Sequence, residues 1–120
     1  MADTSVTLVG NCTRDVDLSF SNNGNAIAAL GIAINNRKRD ASGEWVDGDP
    51  QFFDIKVFGD MAENVASTIE KGTRIIVTGR LNYSSWENKD GDKRSKVEVI
   101  ADSIGPELRW ATAQVTKVGK

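Results

Sequence analysis

The segment Gln51 to Phe58 separates two kinds of side chain. Successive residues of a strand point to opposite faces, so Phe53, Ile55 and Val57 share one face and Phe52, Asp54, Lys56 and Phe58 the other. The first set is core material. The second sets two large rings among an acid and a lysine, which a solvated sheet surface gains nothing by exposing. Arg74 to Trp86 repeats the arrangement: Ile75, Val77, Gly79, Leu81 and Tyr83 form an apolar face, while Trp86 lies with Arg74, Ile76, Thr78, Arg80, Asn82 and Ser84 on a mainly polar one. Rings stack on flat groups and cations pair with anions. Single-stranded nucleic acid offers both, and each base stacked on an aromatic contributes about 1–3 kcal/mol with little regard to sequence.

Phosphates ask for cations, and the basic residues are grouped: Arg37-Lys38-Arg39, then Lys71, Arg74 and Arg80, then Lys89, Lys93, Arg94 and Lys96. Trp45 stands alone in a polar stretch and has two readings, stacking on a ligand or packing against the fold. Catalytic chemistry is poorly supplied. The sequence has no histidine, the usual general base near neutral pH. Cys12 has no second cysteine to work with, and no phosphate-cradling glycine loop is present. Asn88, Asp90 and Asp92 imitate the start of a calcium loop, but Lys93 takes its glycine position and Val99 its final glutamate, so the segment is read as a turn. No metal and no cofactor is expected.

Short strands and turn residues must position these groups. Val6 to Gly10 starts a strand that continues past a kink through Val16 to Phe20; Ser21 to Asn25 is a turn; Ala26 to Asn35, apolar on both faces, is a central strand. Asn36 to Pro50 is a polar excursion, expected to be an extended hairpin turning near Ser42-Gly43. Asp60 is the expected N-cap of a helix, with Glu63 set for a capping box, Met61, Val65 and Ile69 as its buried stripe, and Lys71-Gly72 closing it. After the Arg74–Trp86 strand and a turn at Asn88–Asp92, Ser95 to Ile104 returns as the last core strand. An all-β chain of five strands with one short helix between the third and fourth has the layout of the oligonucleotide-binding (OB) barrel.

The bulk composition is that of one ordinary domain: 120 residues, 39% hydrophobic and 27% charged. No apolar run approaches the roughly 20 residues of a membrane helix, so no membrane partner is expected. Met1 to Ser5 shows no secretory leader, and a lone cysteine fits a reducing cytoplasm. The net charge of -2 is low for a phosphate binder, but it is unevenly spread. Residues 1–68 carry 5 basic and 10 acidic side chains, residues 69–120 carry 10 and 7.

With these residues in place, the chain resembles a known family. Phe52-Phe53-Asp54-Ile55-Lys56-Val57-Phe58-Gly59-Asp60, Lys71-Gly72-Thr73-Arg74 through Gly79-Arg80-Leu81, and Trp86 are similar to the bacterial single-stranded DNA-binding proteins, as are Leu8-Val9-Gly10-Asn11 and Asp15-Val16. The likeness spans Thr7 to Ile104, and Ile104 to Ala113 is similar to the actinobacterial branch. It implies an OB-fold domain over residues 1–105 and an extension over 106–120 that adds a subunit-clamping strand. It further implies a cytoplasmic, nucleoid-associated homotetramer that holds single strands during replication, recombination and repair.

On this resemblance Phe52, Phe58 and Trp86 stack bases, Trp45 and Arg37 are further stacking candidates, and Arg37, Lys38, Arg39, Lys71, Arg80, Arg94 and Lys96 contact phosphates. Arg37 stands where some members carry an aromatic, and Asp54 and Asp60 stand where well-known members are basic. The sequence closes on Val118-Gly119-Lys120, without the acidic tip through which members recruit replication and repair proteins, so a tailless DNA-binding domain is the expectation. The competing reading is an OB-fold protein–protein interaction module or accessory assembly factor with weak nucleic-acid affinity. A nuclease reading has no residues to support it.

Overall fold

The computed structural model describes residues 4–119; Met1 to Asp3, where the absence of a leader was read, and Lys120 lie outside the described residues. The described chain is built from strands with a single helix: β1 (Ser5–Cys12), β2 (Asp17–Phe20), β3 (Ala26–Ile34), β4 (Arg37–Arg39), β5 (Trp45–Asp47), β6 (Gln51–Phe58), α1 (Asp60–Thr68), β7 (Arg74–Glu87) and β8 (Lys93–Pro106). Six strands form one sheet in the order β1-β7-β8-β6-β3-β2, and pairing of β1 with β3 closes it into a ring. β1 and β2 are the two halves of the kinked first strand. The result is the five-stranded OB barrel, with α1 between its third and fourth strands.

The ring closes around alternating side chains. Leu30, Ile32, Ile55, Val57, Ile75, Val77 and Val99 are fully buried within it, and Ala62, Val65 and Ile69 bring α1 against one end. The register follows the pattern. Leu30 faces Ile55 and Ala28 faces Val57 across β3–β6, while Leu81 and Ile55 both pair with Val99. A bulge between Thr78 and Gly79 shifts the β7–β8 register so that Asp102 has no opposite residue. The polar excursion forms a separate small sheet, β4 paired with β5 around a turn at Asp40–Glu44.

Three details differ from expectation. The residue at the helix N-cap is Gly59, at φ 79°, with no side-chain capping bond. The chain turns too sharply out of β6 for Asp60 to take that place, so Asp60 and Glu63 sit in the first turn, where negative charge faces the positive end of the helix dipole. The helix ends at Ile69, whose N–H donates to the Val65 carbonyl; Gly72 serves the following turn, and Ala62 rather than Met61 is fully buried. Finally, β7 and β8 run on as a long hairpin arm beyond the barrel, leaving Tyr83 66% exposed instead of in the core.

The residues after Pro106 form no strand among the described residues. They fold back along the far end of the barrel, where the Glu107 N–H donates to the Arg74 carbonyl and the Trp110 ring lies 4.7 Å from the Arg74 guanidinium. No described helix is long and apolar enough to cross a membrane.

Candidate functional site

The outer surface of the barrel collects the aromatic and basic residues singled out by the sequence. Phe52 and Phe58 stand exposed at opposite ends of β6, with Asp54 and Lys56 between them on the same face. Their neighbours on β3 are small or missing: Ala33 faces Phe52, Gly31 faces Asp54 and Ala29 faces Lys56. Low neighbours leave both the rings and the charges accessible. The same rows continue across the sheet, Asp54 to Glu98 to Asn82, and Lys56 to Ile100 to Arg80.

Trp86 lies on this face of β7, paired with Arg94, and Ser84 pairs with Lys96. Because β6 and β8 run parallel, Phe52, Trp86, Arg94 and Lys96 all lie toward the arm end of the face, and Phe58 lies toward α1. The β4–β5 hairpin rises from that same arm end, between the last residues of β3 and the first of β6. It carries Arg37 opposite Asp47, Lys38 opposite Val46 and Arg39 opposite Trp45. Trp45 does not pack against the barrel; it is 55% exposed, with the Arg39 guanidinium 4.9 Å from its ring centre. Lys71 is apart from this group. It lies in the turn after α1, and its backbone N–H donates to Asp15 Oδ1 at 2.9 Å.

Several cations of the face already have acidic partners. Arg80 donates to Asp102 at 2.8 Å. Lys96 and Lys56 lie 3.5 and 3.9 Å from Glu98 Oε2, and their chains cover that carboxylate until only 9% of the residue is exposed. Asp54, the acid between the two exposed rings, lies 3.7 Å from Arg14 Nη1. Arg14 was not among the residues the sequence indicated. It reaches Asp54 by crossing β3 over Gly31, a contact set by register that no local pattern announces. Tyr83, paired with Val97 on the other face of the arm, was also missed as a surface aromatic. The Asn88–Asp92 segment is used as a turn: Asn88 Oδ1 accepts from the N–H groups of Asp90 and Asp92.

Known proteins share this sequence pattern and fold. The model of the Single-strand binding protein family matches residues 3–106. The single-stranded DNA-binding protein of Mycolicibacterium smegmatis is 46% identical over 119 residues, covering 98% of this chain and 72% of that protein. That of Paenarthrobacter nicotinovorans is 45% identical over 116 residues, covering 96% and 68%. Among solved structures, the small single-stranded DNA-binding protein from Streptomyces coelicolor superposes with a TM-score of 0.74 at 25% identity, covering 90% of this chain and 97% of that one. A deletion mutant of the single-stranded DNA binding protein from Thermus aquaticus gives the same TM-score of 0.74 at 37% identity, over 88% of this chain and 51% of the other.

Proposed function

The chain belongs to the single-strand binding protein family, and from that membership we propose that it binds and protects single-stranded DNA by base stacking, with little preference for sequence. Proteins of this family bind DNA without catalysing a reaction, and this chain is no enzyme. The observation that carries the reading is the row of exposed rings, Phe52 and Phe58 on β6 with Trp86 on the same outer face. Stacking on a π-face does not distinguish bases, and low flanking residues let a strand lie flat across the sheet. Arg94, Lys96 and the basic β4 strand flank its path at the arm end. Lys71 and the ion-paired Arg80 contribute less.

The biological setting that fits is DNA replication, recombination and repair in the cytoplasm, with the protein acting as a homotetramer on the nucleoid. Leu108, Val115 and Val118 support assembly, since each is more than half exposed on the isolated protomer.

Titration with oligo-dT tests the reading. Tryptophan fluorescence should fall as Trp86 stacks, and log K should decline with log salt by about 0.7 per phosphate neutralised. Changing Phe58 and Trp86 to Ala together should weaken binding by roughly 2–6 kcal/mol with the fold intact. Unchanged affinity in that double variant would refute stacking. A second reading, an OB-fold protein–protein interaction module, draws on the acids that engage Arg80, Lys56 and Lys96. Equal band shifts, or none, with single- and double-stranded DNA would favour it.

A further inference from the structure

We propose that Arg14 is a phosphate-binding residue of the stacking face and that Asp54 is its internal competitor, an assignment that rests on the single-strand reading above. Phe52 and Phe58 are six residues apart on one strand, which separates their rings by about 20 Å. A strand stacked on both must carry its phosphates across the stretch between them. Asp54 and Lys56 occupy that stretch. An unpaired Asp54 would repel the backbone there, and Lys56 is turned toward Glu98.

The seat of Arg14 is built by its neighbours. Gly31, the register partner of Asp54, has no side chain; a Cβ there would lie 2.8 Å from Arg14 Nη1 and collide with Thr13 Oγ1. The Thr13 N–H donates to the Gly31 carbonyl at 3.0 Å, and the Cys12 thiol donates to the Arg14 carbonyl at 3.0 Å. The backbone of Arg14 is thus tied down while its guanidinium crosses the strand in the space that Gly31 leaves.

The pair itself is loose. Arg14 and Asp54 approach to 3.7 Å and both side chains are half exposed. The other pairs of the face are tighter or more covered, Arg80 hydrogen-bonded to Asp102 at 2.8 Å and Lys96 against the nearly buried Glu98. An exposed ion pair adds little net stability, so little is lost when it exchanges. A guanidinium accepts a phosphate in the same forked geometry as a carboxylate. In the free protein Asp54 holds Arg14 over the face. When a strand binds, a phosphate takes its place and Asp54 draws a cation from solution.

The exchange has a salt signature. Capture of a phosphate releases counterions, and uptake of a cation by Asp54 offsets part of that release. Oligo-dT titrations across a salt series, read by tryptophan fluorescence, test this with Arg14→Gln, Asp54→Asn, the double variant, and Glu63→Gln on α1 as a control for net charge.

Arg14→Gln should weaken binding by about 3- to 10-fold and make the log–log slope shallower, by less than the roughly 0.7 of one whole phosphate because the cation uptake by Asp54 is lost with it. Asp54→Asn should tighten binding several-fold, beyond any effect of Glu63→Gln, and steepen the slope. In the Arg14→Gln background the gain from Asp54→Asn should shrink. If Asp54→Asn behaves like Glu63→Gln, or Arg14→Gln leaves affinity and slope alone while the wild type binds, the inference fails by itself. If the wild type does not bind oligo-dT, the single-strand reading fails and takes this inference with it.

Discussion

Gly31 shows how much one missing side chain organises. It lies in the central strand β3 with Leu30 and Ile32 buried on either side of it in sequence, so its own Cα faces outward, toward Arg14. Gly31→Ala would drive a Cβ into Thr13 Oγ1 and Arg14 Nη1, and both side chains would have to leave their places. Overpacking of this kind costs about 1–3 kcal/mol, measurable as a lower urea midpoint with an unchanged slope. An unaltered midpoint would mean that Thr13 and Arg14 are free to move aside. Cys12, at the end of β1, gives a second test. Burial pushes its thiol up, and the chain around it admits no reagent, so alkylation by iodoacetamide at neutral pH should be slow until the protein is unfolded. Rapid native-state reaction would show that β1 frays at this end. The outward rings of β6 were legible in the sequence because alternation is a local rule with period two. Arg14 was not. Its partner lies forty positions away and is reached only through the β3–β6 register.

The β4–β5 hairpin depends on one carboxylate. Asp40 Oδ1 accepts from the Ser42 hydroxyl at 2.6 Å and from the N–H groups of Ser42 and Glu44 at 2.9 and 3.0 Å. The Ser42 hydroxyl, and after it the Glu44 N–H, hold the Asp40 carboxyl below the usual carboxylate range. A carboxyl lowered by folding contributes its full stabilisation above its unfolded pKa of about 4, and that contribution disappears as pH falls through the lower folded value. The Ser42 and Glu44 amide resonances should therefore shift together below pH 4, and Asp40→Ala should remove that titration and increase amide exchange in the turn. A titration at the ordinary carboxylate pH would mean that the turn is open in solution. The hairpin itself was legible, since Ser42-Gly43 within a polar run signals a turn. The reach of the β7–β8 arm was not. Alternation through Tyr83 continues past the point where the barrel ends, and only the closed ring shows where burial stops. The Asp60 cap misled for a similar reason: its composition fits a cap, but the geometry of the β6 exit required glycine.

The proposed assembly is a property of the whole molecule, and the C-terminal segment is where it can be tested. The fully buried core lies between Leu8 and Ala101, so the barrel does not need the residues after Pro106 for its interior. Those residues nevertheless keep a large apolar surface, with Leu108, Val115 and Val118 at 58%, 88% and 69% exposure, while Trp110 is engaged by Arg74. Side chains so exposed add little to protomer stability, and their burial against other subunits would add about 25 cal/mol for each Å² removed from water. The two quantities can therefore be separated. Changing Leu108, Val115 and Val118 to Ser together should leave the unfolding free energy of the dissociated chain, read from urea titration, within about 0.5 kcal/mol of the parent. In sedimentation equilibrium the same variant should dissociate at higher concentration than the parent. It should still bind short oligo-dT through Phe52, Phe58 and Trp86, because the stacking face lies on the barrel and arm, away from the segment. Long oligo-dT, which needs several barrels at once, should lose the advantage that linkage confers. If the variant keeps the parent's mass at every concentration, the segment after Pro106 is not the seat of the proposed assembly.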